Sequence, residues 1–233
     1  MIHLDQIPTN QYDIIEADSP WNYKDNGYNG YDTVQKYRIH TPYDQMSLHE
    51  LSLLGPHIER VSKPTAQMYS WATKDFRLDA ELLMREWGFE YKFEIPWIKT
   101  TDGLKPNMAA IKHLAMTKDE ADRISAAMRC WGQPGKPCEG MGKYARNLHE
   151  ILLYGTRDTS HKPDLATTQP AIIMAPKSGH SRKPEASYEL IVNNSMGLKR
   201  LSMFQREHRP GFDCWGHGVG GYKREEELWH GGS

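Results

Sequence analysis

The sequence predicts a three-layer α/β fold, and three observations carry that expectation. Short apolar runs rich in β-branched residues alternate with stretches of helical spacing, and no segment repeats another. The first apolar run, Asp13 to Ala17, ends abruptly in Asp18-Ser19-Pro20-Trp21. In open α/β sheets the functional loops leave the carboxyl ends of strands, so this junction is the first place to look for chemistry.

Asp13 to Ala17 reads as a buried strand, and the Gly- and Tyr-rich stretch Asn22 to Tyr43 as a long loop. A loop of that length beside a reactive motif is expected to be a substrate lid rather than a linker. Ser47 with Glu50 makes a capping box for a helix running to about Glu59, and Thr65 to Trp71 is the next strand. Asp75 to Trp87 is helical and stops at Gly88, Glu90 to Ile98 is a strand, and a further strand covers Glu150 to Tyr154. Between these two strands Lys118 to Arg129 predicts a helix, and the Gly/Pro-rich Gly132 to Gly142 a flexible connection. Ala171 to Ala175 and Leu201 to Phe204 supply strands around a helix from Pro184 to about Asn194. No second domain is indicated, and residues 1–233 are expected to form one.

Composition narrows the class of protein. The chain has 233 residues, 38% hydrophobic and 25% charged, which suits a soluble domain with a substantial core. No segment is long and apolar enough to span a membrane and no basic-then-apolar leader opens the chain, so a cytoplasmic protein is expected, bacterial or phage-encoded, or nuclear if eukaryotic. Cys130, Cys138 and Cys214 lack C-x-x-C spacing and are expected to be free thiols; neither they nor the histidines imply a metal. Net charge is −1, but nine Lys/Arg face five Asp/Glu between Lys99 and Arg146, and seven face three between Lys177 and Arg209. Such stretches suit either a phosphate-binding rim or two solvated faces. No G-x-G-x-x-G follows an early strand, so the conventional dinucleotide fingerprint is absent.

Asp18 to Trp21 combines residue types suited to modifying an exocyclic amine. The amino group of adenine or cytosine is a poor nucleophile, because its lone pair is delocalised into the ring. The Asp18 carboxylate and the Ser19 carbonyl can each accept one amino hydrogen and leave the lone pair aimed at an electrophilic methyl group. Pro20 would stiffen the turn, and Trp21 would stack on an extruded base. The bare tetrapeptide also fits an ordinary strand-to-turn transition with a buried Trp.

Seven segments in order extend the pattern along the chain: DSPW, MSLHEL (Met46 to Leu51), MYSWAT (Met68 to Thr73), ELLMREWGFEYKFEIPWIKT (Glu81 to Thr100), YARNLHEILLYGTR (Tyr144 to Arg157), HSRKPEASYELI (His180 to Ile191) and RPGFDCWGHGV (Arg209 to Val219). Together they resemble the MT-A-seventy family, which holds the adenosine methyltransferase of eukaryotic messenger RNA and its bacterial and phage DNA-adenine relatives. The resemblance implies a Rossmann-like class I methyltransferase fold with permuted, catalytic-motif-first order, and S-adenosylmethionine as cofactor. It implies methylation of the adenine N6 amino group, with DNA the more expected partner than RNA; a non-catalytic subunit of a heteromeric complex is a further alternative. A homodimer or a partner subunit would be consistent with the family.

The resemblance also assigns residues. Asp18, Ser19, Pro20 and Trp21 would be catalytic, with Asp18 also near the cofactor amino group. Lys183 would pair with the cofactor carboxylate, Arg206 and His208 would contact the ribose side, and His217 with Gly218 stands where relatives place Asn. Trp21, Tyr23, Arg146 and Asn147 would contact the substrate, while His149 and Glu150 would hold the strand and neighbouring loops. Ser19 replaces the first Pro of the relatives' Asp-Pro-Pro-Trp, which lowers loop rigidity. Residues 22–45 and 99–147 would face the substrate, the latter expanded by the Lys118 to Arg129 helix relative to compact bacterial members. Ile2 to Asp5 would have to supply the adenine-binding element.

Overall fold

The computed structural model describes residues 7–22, 45–100, 149–160, 171–177, 182–217 and 219, and within them strands and helices alternate. In chain order these are β1 (Tyr12–Ala17), α1 (Leu48–Ser52), α2 (Gly55–Val61), β2 (Ser62–Ala72), a 3-10 turn (Lys74–Phe76), α3 (Arg77–Glu86), β3 (Glu90–Thr100), β4 (His149–Thr156), β5 (Ile173–Pro176), α4 (Glu185–Asn193), β6 (Arg200–Met203) and β7 (Asp213–Trp215). The seven strands are ordered β5-β3-β4-β2-β1-β6-β7. β1 pairs parallel with β2 and β6, β3 with β5, and β6 with β7. This mixed α/β sheet is consistent with the Rossmann-like fold expected from the sequence. Two compact units share the chain, one from residues 1–94, 152–164 and 195–233, the other from 95–151 and 165–194.

The first unit is built around β1. Tyr12, Ile14, Ile15, Glu16 and Ala17 are all fully buried, as expected of a parallel strand covered on both faces. Ala17 pairs with Ser70 of β2 on one side and Met203 of β6 on the other, so the carboxyl ends of three parallel strands finish together. Helices α2 and α3 pack on β2, and α1 packs on α3. Trp71, Trp87, Tyr69, Phe89 and Leu83 fill this core, and the Trp87 indole N–H donates to Leu51 O at 2.9 Å.

Local chemistry explains most boundaries. The capping box forms as expected: Glu50 N–H donates to Ser47 Oγ and Ser47 N–H to Glu50 Oε2. The single helix expected to about Glu59 is instead two. Pro56 lacks an N–H and its ring clashes with the carbonyl four residues back, so α1 ends at Ser52 and α2 restarts with Pro in its first turn. α3 ends in a Schellman motif: Gly88 has φ +83, Phe89 N–H donates to Met84 O, and Gly88 N–H donates to Arg85 O. β6 stops one residue earlier than expected, at Met203, because Phe204 adopts a left-handed φ of +61. β7 was not expected, since three residues carry no measurable periodicity.

In the second unit the later half of β3 pairs with β5, and α4 packs on β5 through a face that buries Ser187, Tyr188 and Ile191. Trp97 is buried, and its indole N–H donates to Ala175 O at 3.0 Å. The helix expected at Lys118 to Arg129, the Gly132 to Gly142 connection, Ile2 to Asp5 and most of 22–45 and 99–147 lie outside the described residues.

Gly155 of β4 marks a close approach in the first unit: a Cβ there would lie 2.5 Å from Met84 Sδ and 2.8 Å from Glu90 O. Gly155→Ala is expected to cost about 1–3 kcal/mol through overpacking. A lowered denaturant midpoint at unchanged slope would register it.

Candidate active site

The Asp18 to Trp21 segment leaves β1 as a tight, tethered turn. Trp21 N–H donates to Ser19 O at 2.9 Å, closing a three-residue turn centred on Pro20, whose ring fixes the φ such a turn needs. Pro20 O accepts from Met46 N–H at 2.8 Å and Asn22 N–H donates to Met46 O at 3.2 Å, forming a parallel bridge between Trp21 and Met46. These bonds tether the turn through the backbone of Pro20, Trp21 and Asn22. The Ser19 carbonyl, with two lone pairs, keeps a second acceptor site beyond its bond to Trp21.

Trp21 is only 6% exposed; it stacks on Phe76 with centroids 5.3 Å apart and planes 12° from parallel, and its indole N–H donates to Trp71 O at 3.3 Å. Phe76 therefore covers one face of the ring that the sequence assigned to base stacking. Such a pair is worth about 0.5–1.5 kcal/mol beyond its area, and it makes Trp21 a fixed wall beside Asp18. Asp18 itself is half-buried, one residue beyond the strand end.

Further expected residues follow β6 and β7 in the chain. Arg206 is half-buried, and His208 and His217 are exposed. Arg209 is 7% exposed and pairs with Glu207 at 2.7 Å. Ser19 Oγ, Ser70 Oγ and Trp215 Nε1 are buried and make no hydrogen bond among the described residues. Ser70 and Trp215 are the register partners of Ala17 and Met203, level with the end of β1 in the sheet. Buried groups of this kind favour a ligand rich in polar atoms, and S-adenosylmethionine fits that requirement.

The second unit holds a buried ion triad. Glu150 at the start of β4 receives Lys99 Nζ on Oε1 at 2.5 Å and Lys183 Nζ on Oε2 at 2.8 Å, with side chains 9–15% exposed. Burial alone would raise the Glu150 carboxyl, but Lys183 and Lys99 together pull it from 4.5 down to about 2. Lys99 Nζ also lies 5.1 Å from the Trp97 ring centroid. Glu150 thus ties β4 to Lys99 and Lys183; neither lysine was foreseen as its partner, Lys183 having been expected at the cofactor carboxylate. Tyr23, Arg146, Asn147 and Gly218 lie outside the described residues. Among the described residues no group of three His, Cys, Asp or Glu is placed to hold a metal ion, and no helix is long and apolar enough to cross a membrane.

The family model of MT-A70 matches residues 12–168 and 132–218 of this chain. The chain belongs to the MT-A70 family. It is also similar to the Type II methyltransferase M.MunI of Mycoplasma sp, with 22% identity over 224 residues that cover 91% of this chain and 79% of that protein. These likenesses support methyltransferase activity for this MT-A70 protein. The matched span takes in the turn at Asp18, the triad at Glu150 and the return segment through His217.

Glu150 gives the MT-A70 protein a pH signature. Its carboxyl is depressed in the folded state, so its stabilisation is complete above about pH 4.5 and is lost as pH falls toward 2. Glu150→Gln leaves two ammonium groups without their shared counter-charge and is expected to cost about 3–5 kcal/mol at neutral pH. Urea titrations at several pH values should show the gap between wild type and variant closing as the medium is acidified through that window.

Proposed function

We propose that this protein transfers a methyl group from S-adenosylmethionine to the N6 amino group of adenine in DNA. The observation that carries the reading is the turn at Asp18: a carboxylate and a neighbouring carbonyl presented at the joint ends of three parallel strands, where the order departs from β1 to either side. The Mycoplasma origin of the similar methyltransferase favours the bacterial, DNA-directed side of the resemblance over the messenger-RNA side.

When bound, S-adenosylmethionine supplies the electrophilic methyl group. Asp18 accepts one amino hydrogen of the target base and the Ser19 carbonyl the other, which draws the nitrogen toward tetrahedral geometry and directs its lone pair outward. Asp18 then holds the proton that the nitrogen gives up on methylation. Trp21, backed by Phe76, limits the approach of the base to one side. Arg206, His208 and His217 serve the ribose side, His217 in place of the relatives' Asn; Lys183, to which the resemblance gives the cofactor carboxylate, is the lysine that Glu150 holds in the second unit. The catalytic turn precedes these cofactor residues in the chain, which is the permuted order.

Asp18→Ala is expected to lower turnover by roughly a hundredfold or more while leaving the melting curve unchanged. The test is methyl transfer from labelled S-adenosylmethionine to matched DNA and RNA oligonucleotides, followed by nucleoside digestion. N6-methyladenine in DNA from wild type alone supports the reading, label confined to RNA reassigns the substrate, and full activity in Asp18→Ala removes Asp18 from the mechanism.

A further inference from the structure

Glu16 is a carboxyl group in the middle of an otherwise apolar parallel strand, 0% exposed and two residues ahead of Asp18. Such a group is costly in a sheet interior unless its oxygens are engaged, and a strand that breaks its own apolar pattern is expected to do so for a functional reason. Its Oε2 accepts from two donors: the hydroxyl of Ser202, its register partner on β6, and Gln205 Nε2 at 3.2 Å. The first donor belongs to the sheet. The second belongs to the segment from Phe204 to Phe212 that links β6 to β7 and carries Arg206 and His208.

That segment begins in strain. Phe204 has φ +61, a conformation that a bulky side chain keeps only when its surroundings impose it, and such outliers concentrate at functional sites. Two grips impose it here. Gln205 N–H donates to Trp215 O at 3.0 Å, and Gly216 lies so close that a methyl there would collide with the backbone N and O of Gln205. The other grip is the side chain of Gln205 on Glu16.

We infer that Glu16 is a positioning residue: through Gln205 it fixes the segment bearing Arg206 and His208 to the strand bearing Asp18, so that cofactor contacts and catalytic turn keep one relative placement. The inference rests on the methyltransferase reading above. It explains why a carboxyl occupies a position where the strand pattern calls for an aliphatic side chain, and why the left-handed Phe204 is retained.

Three variants separate this role from simple structural support. Glu16→Met removes both acceptors at similar length, Gln205→Met removes only the tie to the segment, and Ser202→Ala removes only the tie within the sheet. Steady-state kinetics should show the KM for S-adenosylmethionine raised about tenfold or more in Glu16→Met and Gln205→Met, with kcat at saturation within about threefold of wild type. Ser202→Ala should leave KM near wild type, and the Glu16→Met/Gln205→Met double variant should be no worse than either single one, as expected for one coupled pair. Should Glu16→Met fail to fold, Gln205→Met decides alone. Hydrogen exchange of the 204–209 amides provides a second readout without cofactor, faster in Glu16→Met and Gln205→Met and unchanged in Ser202→Ala. Unaltered exchange, or faster exchange with unaltered KM, overturns the inference. A wild type that binds no S-adenosylmethionine overturns the functional reading instead, while the exchange data still report on the tether.

Discussion

Parallel pairing of β1 on both edges is the constraint from which the rest of the first unit follows. A strand with neighbours on both sides and cover on both faces has no freedom to shift register, because a slip of one residue would turn its whole buried set around. Ala17 is thereby held level with Ser70 and Met203, and the chain must leave the sheet at Asp18. The turn at Pro20, the stack of Trp21 on Phe76 and the tethered return segment are consequences of where that strand is obliged to stop. Chemistry at its end is presented by a rigid element, with a loop needed only for the last few ångströms.

Both units contain a carboxyl group that local pattern does not ask for. Glu16 and Glu150 sit in strands whose other residues are mostly apolar; groups distant in sequence engage Glu16 on Oε2 and Glu150 on both oxygens. Replacing either with a hydrophobic residue would be the simpler way to fill a core. Their presence exchanges some packing stability for directional bonds. In the second unit the two lysines hold Glu150 ionised, and a fixed charge defines geometry more sharply than apolar contact does.

Sequence reasoning reached the elements whose signals are local. The capping box at Ser47, the stop at Gly88 and the abrupt end of β1 are written in a few adjacent residues, and each is found where expected. Pro56 lies inside the span read from the capping box as one helix to about Glu59, and it divides that span in two. What could not be read is tertiary. Phe76 is 55 positions from the ring it covers, Lys99 and Lys183 are separated from Glu150 by 51 and 33, and Gln205 from Glu16 by 189. No periodicity links such partners. Nothing in the motifs that carry the resemblance tells how this chain holds the turn at Ser19 and the segment at Gln205 in place.

The bridge between Trp21 and Met46 has a consequence for variation. Its two hydrogen bonds knot the stretch 23–45 at its root, beside the Ser47 cap and directly against the turn. Once the ends of a stretch are joined, lengthening it adds only slowly to its closure entropy, about 0.6 kcal/mol for each doubling. Segments of different length and composition can therefore be exchanged between Asn22 and Gln45 without disturbing the turn at Asp18 behind them.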